Sequence, residues 1–212
     1  MTDTSRKQLV AVSAGLSQPS STRLLTDRLS DATVSDLTGR GVEVDLRTID
    51  LRDLAQDITN NLVTGFASTK LQDAIDAVAN ADGLIAVTPI FTASYSGLFK
   101  SFFDVIDNTA LTGLPTLIAA TGGTPRHSLA LDHAVRPLFS YLRAPVMPTS
   151  VFAAAEDWGN GSTEDGIAAL PDRIHRAAGE LAGAMEHSTR SARVIDPYAL
   201  EGFSPVGGYG AQ

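Results

Sequence analysis

The sequence contains no cysteine, which excludes disulfides, thiolate metal sites and a cysteine nucleophile. Positive charge is scarce. Sixteen Lys and Arg face 24 Asp and Glu, a formal net charge of −8, so neither nucleic acid nor an anionic membrane is expected as the main partner. Any anionic ligand must be held by local geometry against the overall field. No apolar run approaches the roughly 18 residues of a membrane span, and Met1–Gln8 has no apolar signal-peptide core. A cytoplasmic location is expected. The Gly-x-Gly-x-x-Gly fingerprint, the Walker turn and the Gly-x-Ser-x-Gly elbow are all missing. Asp104 and Asp107 have no second acidic pair or metal-ligand histidine beside them, so no metal site is expected.

What the chain does have is a core: 43% of its 212 residues are hydrophobic, enough for one α/β domain. The apolar run Leu9–Val12 reads as a buried strand, and a helical pattern begins at Leu24-Leu25. Between them lies Ser13-Ala14-Gly15-Leu16-Ser17-Gln18-Pro19-Ser20-Ser21-Thr22-Arg23. A polar turn from a strand into a helix N-terminus is an anion site, because the first N–H groups lack internal partners and the dipole end is positive. Five hydroxyls, those of Ser13, Ser17, Ser20, Ser21 and Thr22, can each donate a bond without adding charge. Arg23 opposes the helix dipole by roughly 0.3–1 kcal/mol, a placement that makes sense with an anion in front of the helix. Otherwise Ser20 or Ser21 is simply an N-cap in an ordinary loop.

The first seven residues are expected to be frayed, followed by a strand over 8–13 and a helix over 21–36. The strict alternation of Val42–Leu46 marks a half-exposed edge strand. Residues 50–66, with a short helix at 51–55, are placed over the carboxyl ends of the sheet. A helix spans 69–79, and Gly83–Thr88 is a strand covered on both faces and ended by Pro89. The helix over 97–107 carries Leu98, Phe99, Phe102, Phe103, Val105 and Ile106 with little polar face, which predicts a subunit interface. Pro115–Thr121 is a fourth strand, broken by Gly122-Gly123. A helix with His127, Leu131, Val135, Leu138 and Leu142 on one stripe follows, and His133 lies off that stripe. The fifth strand falls within 145–154. Asn160-Gly161-Ser162 reads as a turn, and the last helix aligns Ile167, Leu170, Ile174, Ala178, Leu181 and Met185. Residues 189–212 are expected to be flexible or packed on a partner subunit.

Strands alternating with helices predict a three-layer, doubly wound, five-stranded parallel sheet in the flavodoxin-like order 2-1-3-4-5. Ligands in such sheets sit outside the strand carboxyl ends at the switch point, which singles out the turns 13–23, 89–97 and 121–126. In the second, Thr88-Pro89-Ile90-Phe91-Thr92-Ala93-Ser94-Tyr95-Ser96-Gly97-Leu98-Phe99-Lys100 sets an aromatic pair and small polar residues before a helix.

The phosphate turn, this Thr-Pro-(aliphatic)-aromatic-x-x-Ser-Tyr-Ser-Gly-x-x-Lys pattern and the later Thr-Gly-Gly together resemble the NADPH-dependent FMN reductases. The likeness covers residues 8–188 and extends to reductases that feed two-component flavin monooxygenases. It implies that Ser13, Ser17, Ser20, Ser21, Thr22 and Arg23 surround the FMN phosphate. It sets Pro89, Ile90, Phe91, Tyr95, Ser96 and Gly97 along the ribityl chain and one side of the isoalloxazine, and Thr121, Gly122 and Gly123 at its pyrimidine end. Many relatives place an Arg or Lys between the two serines of the first turn, where this chain has Gln18-Pro19.

A flat ring needs close backbone approach, which Gly97, Gly122 and Gly123 permit. Backbone N–H groups can stabilise the charge that hydride transfer to flavin N5 pushes onto N1 and the C2 carbonyl. No side chain is expected to serve as an indispensable acid or base. Without a Rossmann domain, the nicotinamide of NADPH or NADH must stack on the exposed ring face. His127 reads as a packed helix-start residue, with a flavin or nicotinamide-phosphate contact as the alternative, and Lys100 as either a phosphate contact or an inter-subunit ion pair. The implied function is an NAD(P)H-dependent FMN reductase, a homodimer or homotetramer. The alternatives are a flavodoxin-like electron carrier, or a quinone or azo reductase with tightly held FMN.

Overall fold

A computed structural model describes residues 6–158, 169–188 and 190 of the chain. The Asn160-Gly161-Ser162 turn, Ile167 and the tail apart from Arg190 lie outside the described residues. Five parallel strands, β1 (Lys7–Ser13), β2 (Val44–Asp50), β3 (Gly83–Phe91), β5 (Thr116–Gly122) and β6 (Val151–Ala154), run in the order β2-β1-β3-β5-β6. A two-residue strand, β4 (Ser94–Tyr95), pairs antiparallel with the end of β3. Without that hairpin strand the order is the expected 2-1-3-4-5. The helices are α1 (Ser21–Gly39), α2 (Ala55–Thr64), α3 (Thr69–Ala79), α4 (Gly97–Asp104), α5 (Arg136–Tyr141) and α6 (Leu170–Glu186).

Alternation along each strand divides the core into two layers. Leu9 and Ala11 of β1, with Ile85, Val87, Leu117 and Ala119, face Leu25, Leu29, Leu181 and Met185 of α1 and α6. Val10, Val12, Leu84, Ala86, Ile118 and Ala120 face α2 to α5 on the other side. Gly83 lies directly under α6: a Cβ there would come within 2.3 Å of the Met185 sulfur. Three buried hydroxyls of α1 are satisfied within the helix, Thr26, Ser30 and Thr33 each donating to the carbonyl four residues back at 2.8 Å.

Several boundaries differ from the sequence reading. Lys7, expected in a frayed end, already pairs with Val44 in β1, and its Nζ lies 3.6 Å from the buried Asp82 carboxylate. The edge strand starts at Val44 rather than Val42, because the Val42 N–H still closes the end of α1 on Leu37 O. Pro89 does not end β3, which continues to Phe91. The backbone of Val87 is turned toward β1, its carbonyl accepting from Ala14 N, and Pro89, two residues on, has the same orientation. Because β1 pairs only as far as Val87, the missing N–H of Pro89 falls on an unpaired edge.

The helix expected over 97–107 is the shorter α4, whose Phe99, Phe102 and Phe103 are buried in the protomer itself. Phe103 stacks edge-on against Phe99 at 4.8 Å and Phe139 at 4.9 Å. The apolar character of α4 thus serves the core, and only Leu98 and Val105 are left half-buried. A π-turn at Leu131–Val135 precedes α5. The extra residue per turn shifts the inward register to Leu131, Val135, Phe139 and Leu142, so Leu138 is only half-buried. His127 lies ahead of that helix in a separate 3-10 turn, Pro125–His127, and is exposed.

Candidate functional site

The turn after β1 is built around Gly15, where a Cβ would stand 2.0 Å from Ser20 Oγ; only glycine lets the loop fold back so tightly. Ser20 caps α1, its Oγ accepting from Arg23 N at 3.2 Å. Among the described residues, the N–H groups of Ser21 and Thr22 meet no acceptor, the donors that helix geometry leaves free. Ser13 Oγ is buried and likewise has no partner among the described residues, and Ser17 and Ser21 are exposed. A cavity of about 390 Å³ opens here, lined by Gly15, Ser17, Ser20 and Arg23 on one side and Asp50 and Arg52 on the other.

Four of the expected ligand groups are engaged with the protein itself. The Ser20 hydroxyl is a helix cap. Thr22 Oγ1 and Thr121 Oγ1 lie 2.8 Å apart and buried, a strut joining the first turn to the third. Arg23 does not need an external anion to explain its place. Its Nε bonds Asp27 Oδ1 at 2.7 Å, and a second guanidinium nitrogen bonds the Asp50 carboxylate. The hydrogen bond to Asp27 leads in holding the Arg23 guanidinium above its ordinary value, with Asp50 adding to it.

The second turn is a tight hairpin. Ile90 pairs with Tyr95 and Phe91 with Ser94, while Thr92 (φ 49°) and Ala93 (φ 66°) form the link. Both are in the left-handed region, where side chains other than Gly, Asn and Asp are disfavoured. Ser96 is buried and does not face outward: its Oγ caps α4 by accepting from Phe99 N at 3.2 Å. Its N–H donates to Thr88 Oγ1 at 3.0 Å. Phe91 is 47% exposed at the rim, and Tyr95, half-buried, leans on Phe99 at 6.0 Å. Above Gly97 and Gly123 an added Cβ would meet nothing within 4 Å among the described residues. Gly122 differs, since a Cβ there would stand 2.7 Å from Phe152 Cζ; that glycine makes room for the core. Lys100 pairs with Asp104 one turn along α4.

Sequence reasoning missed Asp27, Asp50, Arg52 and Asp53, which line the same cavity. A signal for Asp50 was available. It is the last residue of β2 and sits opposite Ser13 in the parallel register, so it falls at the same carboxyl edge. A larger cavity of about 600 Å³ lies between α1 and α6, lined by Ala32, Ser35, Asp36, Gly39, Arg40 and His175. Arg40 there is already paired with Asp36 and Glu186, and this space is remote from the three turns. No group of three or more His, Asp or Glu among the described residues is placed to hold a metal.

Free helix N–H groups, an unpartnered buried hydroxyl and open glycine surfaces at one carboxyl edge suit a phosphate monoester carrying a flat ring. The architecture is that of a mononucleotide-binding, flavodoxin-like α/β protein. The family model described as NADPH-dependent FMN reductase matches residues 8–159. An FMN reductase (NADPH) of Pseudomonas aeruginosa is 42% identical over 157 residues, covering 74% of this chain and 82% of its own. A solved oxidoreductase from Corynebacterium diphtheriae superposes with TM-score 0.82 at 48% identity, covering 87% of this chain and 99% of that one. The apo NADH:FMN oxidoreductase EMOB superposes with TM-score 0.74 at 30% identity, covering 87% and 93%. The chain belongs to the NADPH-dependent FMN reductase family.

Proposed function

We propose that this chain reduces FMN with NADPH or NADH at the edge formed by its three turns. When bound, FMN supplies the chemistry, accepting hydride from the nicotinamide at N5. The protein binds and orients. The free N–H groups of Ser21 and Thr22, with Ser13 and Ser17, receive the phosphate. Pro89, Ile90, Phe91 and Tyr95, with the open backbone at Gly97, flank the ribityl chain and one ring side, and the Thr121-Gly122-Gly123 backbone borders the pyrimidine end. Ser20, Thr22, Ser96 and Thr121 hold these turns in place through their side chains.

The observation that carries this reading is the Thr22–Thr121 hydroxyl contact at 2.8 Å. It fixes the donor end of α1 beside the twin-glycine turn, so that one ligand can span both. Anaerobic NADPH titration with excess FMN, followed by measurement of released flavin, tests it. Exchangeable reduced flavin is expected, as suits supply to a separate flavin-dependent monooxygenase. Protein that neither quenches FMN fluorescence nor oxidises NADPH refutes the reading.

A cytoplasmic homodimer or homotetramer belongs to the same proposal. Its support is apolar surface beyond the core: Val63 and Phe66, at the end of α2, are 82% and 81% exposed. Light scattering at micromolar concentration is expected to show two or four copies, and a monomer alone contradicts it.

A further inference from the structure

The cavity in front of α1 has an unusual charge arrangement for a phosphate site. Two arginines, Arg23 and Arg52, and three aspartates, Asp27, Asp50 and Asp53, line it, which leaves a formal charge of −1. The cation nearest the helix N-terminus is also already committed. Arg23 Nε is held by Asp27 at 2.7 Å, a second nitrogen of the same guanidinium is held by Asp50, and these carboxylates come from two different elements, α1 and the end of β2. An incoming phosphate therefore meets a guanidinium whose donors are partly occupied and whose charge is more than balanced. The three side chains are partly exposed, 41% for Arg23, 44% for Asp27 and 31% for Asp50, so their ion pairs are accessible to exchange with a competing anion.

We propose that Asp27 and Asp50 are positioning residues that restrain Arg23 and so set a deliberately weak affinity for the FMN phosphate. The inference rests on the flavin reading above and deepens it. With Arg23 withheld, phosphate recognition falls mainly on neutral donors, the N–H groups of Ser21 and Thr22 and nearby hydroxyls. Such a site discriminates poorly between FMN and riboflavin, which lacks the phosphate. Removing one carboxylate charge frees an edge of the guanidinium to make a charge-assisted bond to phosphate, and it removes one repulsive charge. Neither effect touches the ring.

The test is the ratio of riboflavin to FMN dissociation constants, measured by flavin fluorescence quenching in the wild type, Asp27→Asn, Asp50→Asn and Asp50→Glu. The asparagine variants are expected to raise the ratio about tenfold through tighter FMN binding, with riboflavin affinity unchanged. The glutamate variant, which keeps the charge, is expected to restore the wild-type ratio. A purely structural role for the aspartates would move both flavins together or neither. A ratio that stays constant or falls in both asparagine variants overturns this inference while leaving the flavin reading intact. Absence of quenching by either flavin in any of the four proteins overturns both.

Discussion

Thr22 and Thr121 are 99 residues apart in the chain and share one buried hydrogen bond. Replacing Thr121 by valine leaves the Thr22 hydroxyl buried without its partner, a loss of about 1–3 kcal/mol. Urea unfolding of the Thr121→Val, Thr22→Val and double variants is expected to show that the second valine adds little to the first. A second residue-scale consequence concerns Asp107. The Thr109 hydroxyl, at 2.5 Å, and then the Thr109 N–H, at 2.8 Å, hold its carboxyl below the ordinary range. A lowered folded value contributes stability above the unfolded pKa, near 3.9, and that contribution is lost as pH falls through the folded value. In Thr109→Val, the Asp107 carboxyl is expected to titrate closer to its ordinary value, as an NMR pH titration would report. At this scale residue types were legible and partners were not. The five hydroxyls of the first turn were recognisable, but whether each faced outward or capped a helix depended on residues far along the chain, as with Thr22, or on local turn geometry, as with Ser20.

Among the elements, the Phe91–Ser94 hairpin is strained where the sequence carried no turn signal. Thr92 and Ala93 are not the Asn-Gly or Asp-Gly pair such a two-residue link favours, so the sequence reading passed over β4. A β-branched residue at φ 49° carries roughly 1–2 kcal/mol of strain, which exceeds the entropy penalty of glycine, about 0.5–1 kcal/mol. Thr92→Gly is therefore expected to stabilise the protein by up to about 1 kcal/mol, read as a higher Tm; a lower Tm would show that the side chain relieves the strain through its own contacts. By contrast α3 was legible end to end. Its apolar spacing is uninterrupted, and Ser68 caps it locally by accepting from Leu71 N. The helix before β6 was misread because one inserted π-turn breaks the 3.6-residue rhythm on which the reading depends.

For the whole molecule, the order of the five parallel strands and the two-sided burial followed from runs such as Gly83–Thr88, which leave no face for solvent. The place of the candidate site was read from the order, because the switch point lies where β1 and β3 send their chains to opposite sides. What could not be read was the interlayer fit. Gly83 looked like an ordinary strand start, yet it admits Met185 of α6 onto the sheet. Gly83→Ala is expected to cost about 1–3 kcal/mol by overpacking, seen as a lower denaturation midpoint with unchanged slope. At the amino edge of the sheet, Arg190 donates to the carbonyls of Ala79, Ala81, Ala110 and Thr112. Lys7 Nζ reaches Ser188 O at 2.7 Å and lies beside Asp82. The two extremities of the described chain are thereby laced to one pole, while the three turns open at the antipode. A disturbance at either extremity has the full length of the strands to cross before it is felt where a ligand would dock.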